Sequence, residues 1–447
     1  MIERLFELTR RRAAGGGPGG ADCMWRRAER TTVSFEAGRM KAAGISEEAG
    51  VNLRIMSGGR VGIAGSTAVD AKPDDLVDRA LASAELGETV TLAFPSPAPL
   101  PSVTSSFDRA ATAPLDALIR MGAELVERLA RDDCQVNVTV EREIGSTRVA
   151  NSAGADAKYR STGIGVSAEV WRIAGDDVLA IGDAYEGADL PTADVLTAIV
   201  RSIQTRLERA LKLVAPPEGS LPVVFTPAGL SALFLHLTQA LSGKAVLQGI
   251  SPLAGRIGER VFDASFSITD DPLHAGRAAS RPIDDECVPS RVTALVERGV
   301  VKQFVYDLET AARAGAGAAS TGNGQRGIFS KPAAGYTNLV FGDEGRGKRD
   351  GDSFGGGLLD GIADGLLVDD LIGVGQGNVI GGAFSHPVAL AYRIERGEVT
   401  GRVKDAAVAG NSYELLKKIG GFGNDRRWSG ARSTPSLLLE GVSVARR

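Results

Sequence analysis

Cysteine is scarce in this chain of 447 residues, and neither a membrane-length apolar run nor a leader-like start is recognised in it. Its cysteines, Cys23, Cys134 and Cys287, are far apart and form no C-x-x-C pair. Neither a disulfide framework nor a cysteine-based zinc site is therefore predicted. No run approaches the roughly 18 apolar residues of a membrane-spanning helix, and the segment MIERLFELTRRR lacks the apolar core of a signal peptide. We expect a cytoplasmic protein that does not contact a membrane.

An excess of positive charge is also missing. The chain has 51 lysines and arginines against 55 aspartates and glutamates, which gives a net charge of −4. Proteins that bind nucleic acid usually carry a basic excess on one domain or along one stripe. The hydrophobic content of 43% is that of an ordinary globular protein. We therefore expect no nucleic-acid partner.

The hydrophobic pattern predicts an α+β fold with two domains. Residues 1–214 combine alternating apolar runs, typical of an antiparallel sheet, with three or four helices, including 114–131 and 192–214. The segment APPEGSLP (215–222) is rich in proline and is the best candidate for a domain boundary. Residues 222–447 are rich in glycine and short apolar runs. They predict a mainly β domain, a curled sheet or barrel, with a central helix.

Turn sequences add detail to the second half. The segments ALVERGVVKQFVYD and AYRIERGEVTGRV both turn at Glu-Arg-Gly, where Gly299 and Gly397 allow the positive φ of a tight hairpin. Two glycine-rich stretches, 15–20 and 341–357, show no periodicity and are predicted to be surface loops.

The central helix is predicted over residues 227–242, PAGLSALFLHLTQALS. Its leucines and phenylalanine recur at steps of three and four residues, which indicates that one face lies in a core. Pro227 suits a first helical position and Gly243 suits a helix stop. His236 lies at the edge of the apolar face, and we interpret it as a structural histidine at the margin of the core.

This helix lacks the donors of a catalytic zinc site. Such a helix needs two histidines about one turn apart and a glutamate beside the first to activate the metal-bound water. The residue after His236 is Leu237, and the positions about one turn later include Leu241. The residues therefore predict no catalytic group and no metal on this chain.

Two acidic segments, ITDDP and PIDDEC, bring five carboxylates close together in sequence. Clustered carboxylates can hold a divalent metal or divide acid and base roles between them. They are also typical of turns and solvated loops, which is the interpretation that we favour because no ligand spacing recurs. The residues concerned are Asp270, Asp271, Asp284, Asp285 and Glu286.

The segment STGNGQRG (320–327) formally fits the dinucleotide pattern G-x-G-x-x-G. A dinucleotide site also needs a strand before the glycines and a helix after them, and neither is indicated here. We interpret the segment as a loop, and contact of its backbone N–H groups and Arg326 with a peptide or a partner protein is an alternative that stays open.

Many ordered motifs of this sequence resemble one known family, the TldD/PmbA family. Its members were once described as modulators of DNA gyrase and are now regarded as components of peptide-cleaving metalloproteases. The resemblance spans most of residues 222–426 and extends to VANSAG in the first half. The matching stretches include HLTQALSGKAVLQGISPLAGRIGERVFD, SITDDP, RPIDDECVPSRVTALVERGVVKQFVYDLETAARAGAGAASTGN, DGLLVDDLIGVGQGNVIGGAFS, YRIERGEVTGRV and VAGNSYELLKKI.

The resemblance also indicates a branch of the family. In the TldD branch the central helix carries His-Glu-x-x-x-His, and a cysteine near the C-terminus completes the zinc site. Here Leu237 takes the place of the glutamate, Leu241 takes the place of the second histidine, and the last cysteine is Cys287. The chain therefore resembles the metal-free PmbA branch, also called TldE.

The resemblance implies that this chain is a non-catalytic subunit that pairs with a TldD-like zinc metalloprotease. The heterodimer would enclose a chamber, and an unfolded peptide substrate would add a strand to a sheet edge. Zinc is expected on the partner, and a homodimer is the alternative for the isolated chain. We assign Ser320, Thr321, Asn323 and Arg326 to the peptide or partner surface. The alternatives are a stand-alone hydrolase using the carboxylate clusters and a protein that modulates DNA gyrase by direct interaction.

Overall fold

The computed structural model describes residues 2–12, 19–68, 70–315, 317–342 and 354–447. The loops predicted at 15–20 and 341–357 fall mostly outside the described residues. Within the described part of the chain, no helix is long and apolar enough to cross a membrane.

The first half of the chain forms a six-stranded antiparallel sheet in the order β3-β2-β1-β4-β5-β6. Its elements are α1 (Ile2–Arg12), β1 (Ala21–Glu36), β2 (Arg39–Ser57), β3 (Arg60–Ser66), α2 (Pro73–Glu85), α3 (Asp108–Ala111), α4 (Leu115–Leu129), β4 (Gln135–Asn151), β5 (Asp156–Ala174), β6 (Asp177–Gly187) and α5 (Ala193–Ala210). Alternate residues of β4 are buried, as the period of a strand requires. Helices α4 and α5 contribute their apolar faces to the same core.

Two details differ from the sequence pattern. Strand β4 runs without a break through the two alternating segments QVNVTVERE and STRVAN, because Gly145 between them stays in the ladder opposite Ser161. Helix α5 begins after Thr192, whose hydroxyl caps the helix by accepting a hydrogen bond from the Val195 N–H. It ends at Ala210 rather than 214, because the next residues pair with a strand of the second half.

The second half is mainly β, which confirms the predicted α+β class. Its elements are β7 (Leu213–Val214), β8 (Gly219–Phe225), α6 (Ser231–Ala240), α7 (Gly243–Leu247), β9 (Ile268–Asp270), β10 (Thr293–Glu297), β11 (Val300–Val301), α8 (Leu308–Ala314), β12 (Gly324–Gln325), β13 (Ala333–Ala334), β14 (Leu339–Phe341), β15 (Asp364–Leu371), β16 (Ala383–Glu395), β17 (Glu398–Val403), β18 (Ala406–Asn411), α9 (Ser412–Leu415), β19 (Ile419–Phe422), β20 (Arg427–Ser429), β21 (Arg432–Thr434) and β22 (Leu437–Arg446). Strands β15, β8, β22, β18 and β16 form a closed barrel, because β15 also pairs with β16. A second sheet has the order β11-β10-β9-β14-β21-β20.

Both predicted Glu-Arg-Gly hairpins are confirmed. The turns join β10 to β11 and β16 to β17. Each turn has positive φ at two successive residues, Arg298 and Gly299 in one and Arg396 and Gly397 in the other. Two positive φ values in a row produce the turn twist that suits a two-residue hairpin.

The predicted central helix exists as α6, but it is shorter at both ends than residues 227–242. Pro227 lies in a turn before the helix, where the Thr226 hydroxyl accepts a hydrogen bond from the Gly229 N–H. Gly243 does not stop the helix, and instead begins α7. A Cβ at this position would lie 2.3 Å from the Tyr306 ring, so close packing requires glycine there.

Helix α6 lies in a core that combines the barrel with the second sheet. Phe234 stacks on Phe341 with ring centroids 3.7 Å apart. Leu233, Leu237 and Leu241 belong to the same buried cluster as residues of β8, β9, β15 and β22. The helix is therefore surrounded by apolar side chains, which explains its hydrophobic composition.

A second core crosses the boundary predicted at 215–222. It combines residues of β4, β5 and α5 with residues of β15 and β16. Tyr392 of β16 donates a hydrogen bond to the Arg206 carbonyl oxygen of α5 at 2.9 Å. The division into 1–214 and 222–447 stays a prediction, and the packing couples the two segments.

Candidate functional site

His236 is buried on α6 and has a polar partner inside the protein. Its Nδ1 lies 2.9 Å from the Ser412 hydroxyl at the start of α9. Burial lowers the pKa of the imidazole, and the nearby His386 lowers it further. A neutral imidazole that shares a hydrogen bond with a hydroxyl is the arrangement of a structural histidine.

The positions around His236 do not fit a zinc ion. Leu237 and Leu241 have no exposed surface and pack inside the apolar core. Among the residues that the structure describes, no three histidine, cysteine, aspartate or glutamate side chains are grouped so as to hold a metal. A catalytic zinc site needs three protein donors, and α6 offers one imidazole.

The acidic segments are not solvated loops, and that interpretation was wrong. Asp284 and Glu286 have no exposed surface, and Asp270 has almost none. Asp284 accepts hydrogen bonds from the N–H groups of Glu286, Val288 and Gly324 at 2.8–2.9 Å. These oxygens fix the backbone of surrounding loops, so they are committed to internal donors.

The two acidic segments also serve separate places. Asp270 accepts hydrogen bonds from the Thr337 N–H and hydroxyl, each at 2.8 Å, and from the Asn323 amide at 2.5 Å. Asp271 accepts a hydrogen bond from the Leu273 N–H in the following turn. The turn predicted at Asp-Asp-Pro therefore applies to Asp271 and not to Asp270.

A buried cluster of charged side chains joins the N-terminal sheet to the second half. We call Asp22, Arg54, Glu286 and Arg326 the charged junction. Arg54 bridges Asp22 on the neighbouring strand and Glu286, whose Oε1 lies 2.6 Å from the arginine Nη1. Arg326 Nη1 lies 2.8 Å from Asp22 Oδ1. None of the four side chains has exposed surface.

Burial and neighbouring positive charges shift the pKa values of the acids of the charged junction in opposite directions. Burial disfavours ionisation of Asp22, but Arg326 and Arg54 outweigh it and lower its pKa. Burial raises the pKa of Glu286 to about 7, against the opposing effect of Arg54. Burial likewise raises the pKa of Asp284 to about 6. The sequence analysis singled out neither Asp22 nor Arg54, because nothing local marks an ion pair between residues 232 positions apart.

The loop residues assigned to a peptide or partner surface are all buried. Thr321 exchanges hydrogen bonds with the backbone of Tyr306, and the Ser320 hydroxyl accepts one from the Gly322 N–H. Asn323 binds Asp270 and the Gly335 carbonyl oxygen. These three side chains hold the loop in place. Their assignment to a binding surface stays a prediction. The fourth residue, Arg326, lines a cleft.

That cleft has a volume of about 940 Å³ and lies between one face of the N-terminal sheet and loops of the second half. We call it the sheet–loop cleft and define it by Tyr159, Gly163, Arg281, Gln325 and Tyr336. Tyr336 donates a hydrogen bond to the Thr238 carbonyl oxygen at 2.6 Å, so one wall of the cleft is attached to α6. The volume lies at the upper end of the range for ligand sites.

Comparison with known proteins identifies the family. Residues 218–446 match a family profile described as "PmbA/TldA metallopeptidase C-terminal domain", and residues 21–84 match the domain 1 profile of the same family. The chain belongs to the PmbA/TldD family. The family resemblance drawn from the sequence motifs is thereby confirmed.

Matches to individual proteins agree with the match to the family profiles. The chain is 33% identical over 221 residues to a metalloprotease of Methanothermobacter thermautotrophicus, covering 49% of this chain and 46% of that protein. It is 32% identical over 212 residues to a TldD homologue of Haemophilus influenzae, covering 47% and 42%. These matches therefore span less than half of either relative. The crystal structure of TldE from Thermococcus kodakarensis superposes with a TM-score of 0.87 at 24% identity, over 99% of both chains, and so shares the fold.

Proposed function

We propose that the chain is a non-catalytic subunit of the PmbA/TldE type, which pairs with a TldD-type zinc metalloprotease in the cytoplasm to cleave unfolded peptides. The observation that carries the proposal is the pair Leu237 and Leu241, which fill the core where zinc-binding relatives need a glutamate and a histidine. The assignment to the PmbA/TldE branch depends on these two positions, because sequence identity to a TldD homologue does not distinguish the TldD branch from the PmbA/TldE branch. Without a TldD-type partner, the chain forms a homodimer.

The sheet–loop cleft supplies the peptide-binding part of the proposal. Its floor contains strand β5, where Gly163 and Gly165 leave the sheet face without side chains. An extended peptide can lie close against such a surface, because no side chains project from it at these positions. The attachment of Tyr336 to α6 places the cleft beside the helix that carries zinc in the partner's branch.

Metal content and peptidase activity test the subunit assignment. Plasma mass spectrometry should find no stoichiometric zinc on the purified chain alone, and one zinc per pair after co-expression with a TldD-type homologue. Cleavage of an unfolded peptide should appear only in the pair. His236→Gln in this chain should leave zinc content and turnover unchanged. Stoichiometric zinc or peptide cleavage by the isolated chain would overturn the proposal.

A substitution in the cleft tests the peptide path separately. Gly163→Trp places a large ring in the cleft, and its Cβ would have only an ordinary 3.6 Å contact with Ala278. Turnover by the pair should fall at least about tenfold while the pair stays assembled. Ser167→Trp, on the same strand and face but outside the cleft, is the matched control. Equal turnover in the two variants would exclude this path.

A further inference from the structure

A second cleft, of about 480 Å³, lies between α5, β6 and the segment that leads into β20. We call it the seam cleft and define it by Tyr185, Ile199, Arg277, Phe354 and Trp428. It adjoins the sheet–loop cleft, with which it shares Glu186, and has no role in the function proposed above. Its lining combines aromatic and aliphatic side chains with several arginines.

Arg277 is the unusual member of this lining. The residue is 8% exposed, and its guanidinium lies over the Trp428 ring at 4.2 Å from the centroid. Its one hydrogen bond within the described part of the chain runs from Nη2 to the Gly430 carbonyl oxygen at 2.7 Å. The Nε atom is buried and has no hydrogen-bond partner.

No carboxylate of the described residues forms an ion pair with Arg277. Burial lowers the pKa of its guanidinium, and Tyr185 and Glu186 oppose that effect only from a distance. A buried guanidinium without a counter-ion is costly, because lost hydration is not replaced. The stack on Trp428 offsets part of this cost and leaves hydrogen-bonding capacity unused.

Several neighbouring charges in the seam cleft are already paired. Arg206 binds Asp369 at 2.8 Å, and Arg427 binds Asp183 at 3.0 Å. Asp425 accepts hydrogen bonds from the Ser436 N–H and hydroxyl. Arg277 therefore presents a positive charge that has no ion-pair partner among the described residues, and the carboxylate of Glu186, which also lines the cleft, acts on it only from a distance.

We propose that Arg277 and Trp428 form a binding site for a carboxylate monoanion. A guanidinium matches the two oxygens of a carboxylate, and the indole ring can pack against the group that carries it. One unmatched positive charge suits one negative charge, and the carboxylates of Asp183 and Glu186 in the same cleft disfavour a dianion such as phosphate. The ligand is a small aliphatic acid or the C-terminal carboxylate of a peptide.

Calorimetric titration of the full chain tests the site with matched ligands. The probes are trialanine with a free C-terminus, trialanine amide, hexanoate and inorganic phosphate, at constant ionic strength. Trialanine acid should bind at least about tenfold more tightly than its amide. Hexanoate binding as tightly as trialanine acid would identify a small acid as the ligand, and weaker binding by hexanoate would identify a peptide C-terminus. Either result supports the site.

Variants connect that preference to Arg277. Arg277→Gln should abolish the difference between acid and amide, and Arg277→Lys should reduce it because a lysine cannot pair with two oxygens. Arg427→Gln, in the same cleft but paired with Asp183, should retain it. The proposal would be overturned if the wild-type chain bound acid and amide equally, or if the preference for the acid survived Arg277→Gln. It would also be overturned if phosphate bound more tightly than hexanoate, or if neither carboxylate bound. The comparison of trialanine acid with trialanine amide on the wild-type chain needs neither a variant nor a zinc-containing partner.

Discussion

Arg54 and Arg277 are both buried guanidinium groups where the N-terminal sheet meets the second half, and their surroundings differ. Arg54 contacts two carboxylates, Asp22 and Glu286, inside the charged junction. Arg277 contacts a carbonyl oxygen and an indole ring. The cost of burying the charge is offset by two carboxylates for Arg54 and is largely not offset for Arg277. The presence of a counter-charge, rather than burial, thus separates an arginine that holds the fold together from one that is available to a ligand.

Removing Arg54 should give the largest effect. Arg54→Met leaves Glu286 without its cation and Asp22 with one arginine instead of two, so the free energy of unfolding should fall by about 3–5 kcal/mol. Urea denaturation at neutral pH measures this loss. The control is Arg27→Met, which removes an exposed pair with Glu47 and should cost no more than about 1 kcal/mol. Equal losses would mean that the charged junction contributes no more than a surface ion pair.

Removing Arg326 should have a smaller effect, because Asp22 keeps Arg54 as a partner. Arg326→Met should lower the free energy of unfolding by about 2–3 kcal/mol, the usual cost of lost hydrogen bonds to a charged group. The measurement is the same denaturation series, with Arg30→Met on the exposed sheet face as control. A stable Arg326→Met chain whose pair with a TldD-type partner fails to cleave peptide would instead favour the binding role predicted from the sequence.

The raised pKa of Glu286 predicts a pH dependence of the charged junction. Its folded pKa of about 7 lies above its ordinary value of 4.5, so the folded state binds this proton more tightly than the unfolded state. That contribution is fully present below about pH 4.5 and is lost as the pH rises through about 7. Glu286→Gln removes the titration. Between about pH 5 and pH 8, the stability of the wild-type chain should fall relative to Glu286→Gln by about 1–3 kcal/mol. A difference that is independent of pH would show that Glu286 stays ionised.

Removing Arg277 should have the smallest effect on stability. Arg277→Gln deletes an uncompensated buried charge and breaks no ion pair, so the free energy of unfolding should stay within about 1 kcal/mol of wild type or rise. Thermal and urea denaturation beside Arg54→Met measure the contrast directly. A loss as large as that of Arg54→Met would show that Arg277 is structural, and the comparison would fail.

Features that depend on local sequence could be predicted well. Thr192 caps α5 because its hydroxyl reaches an N–H three residues away, and the Glu-Arg-Gly turns depend on the φ values of two adjacent residues. The ends of α6 were predicted less well. Gly243 has the residue type of a helix stop, but its absent side chain makes room for Tyr306, which is distant in sequence. A residue can thus be of the type that a helix end favours and yet be required for packing against a residue distant in sequence.

The candidate site shows the same limit more strongly. The acidic segments have the composition of solvated turns, and their burial depends on donors from Arg54, Gly324 and Thr337. The loop at 320–327 has the composition of an exposed turn, yet Asn323 and Arg326 point inward to carboxylates of other segments. Charge in a sequence indicates exposure only when no distant partner compensates it.

The sequence by itself determined that positions 237 and 241 of α6 offer no metal ligand, because leucine side chains have no donor atom in any fold. It also determined the family, through ordered motifs, and the α+β class, through hydrophobic periodicity. The tertiary structure alone decided which charges are paired. Arg54 meets Glu286 across 232 residues, and Arg277 contacts a ring and a carbonyl group but forms no ion pair with a carboxylate in the described part of the chain. Whether a charge is compensated depends on distances of a few ångströms between charged groups in the folded chain, and the local sequence does not indicate these distances.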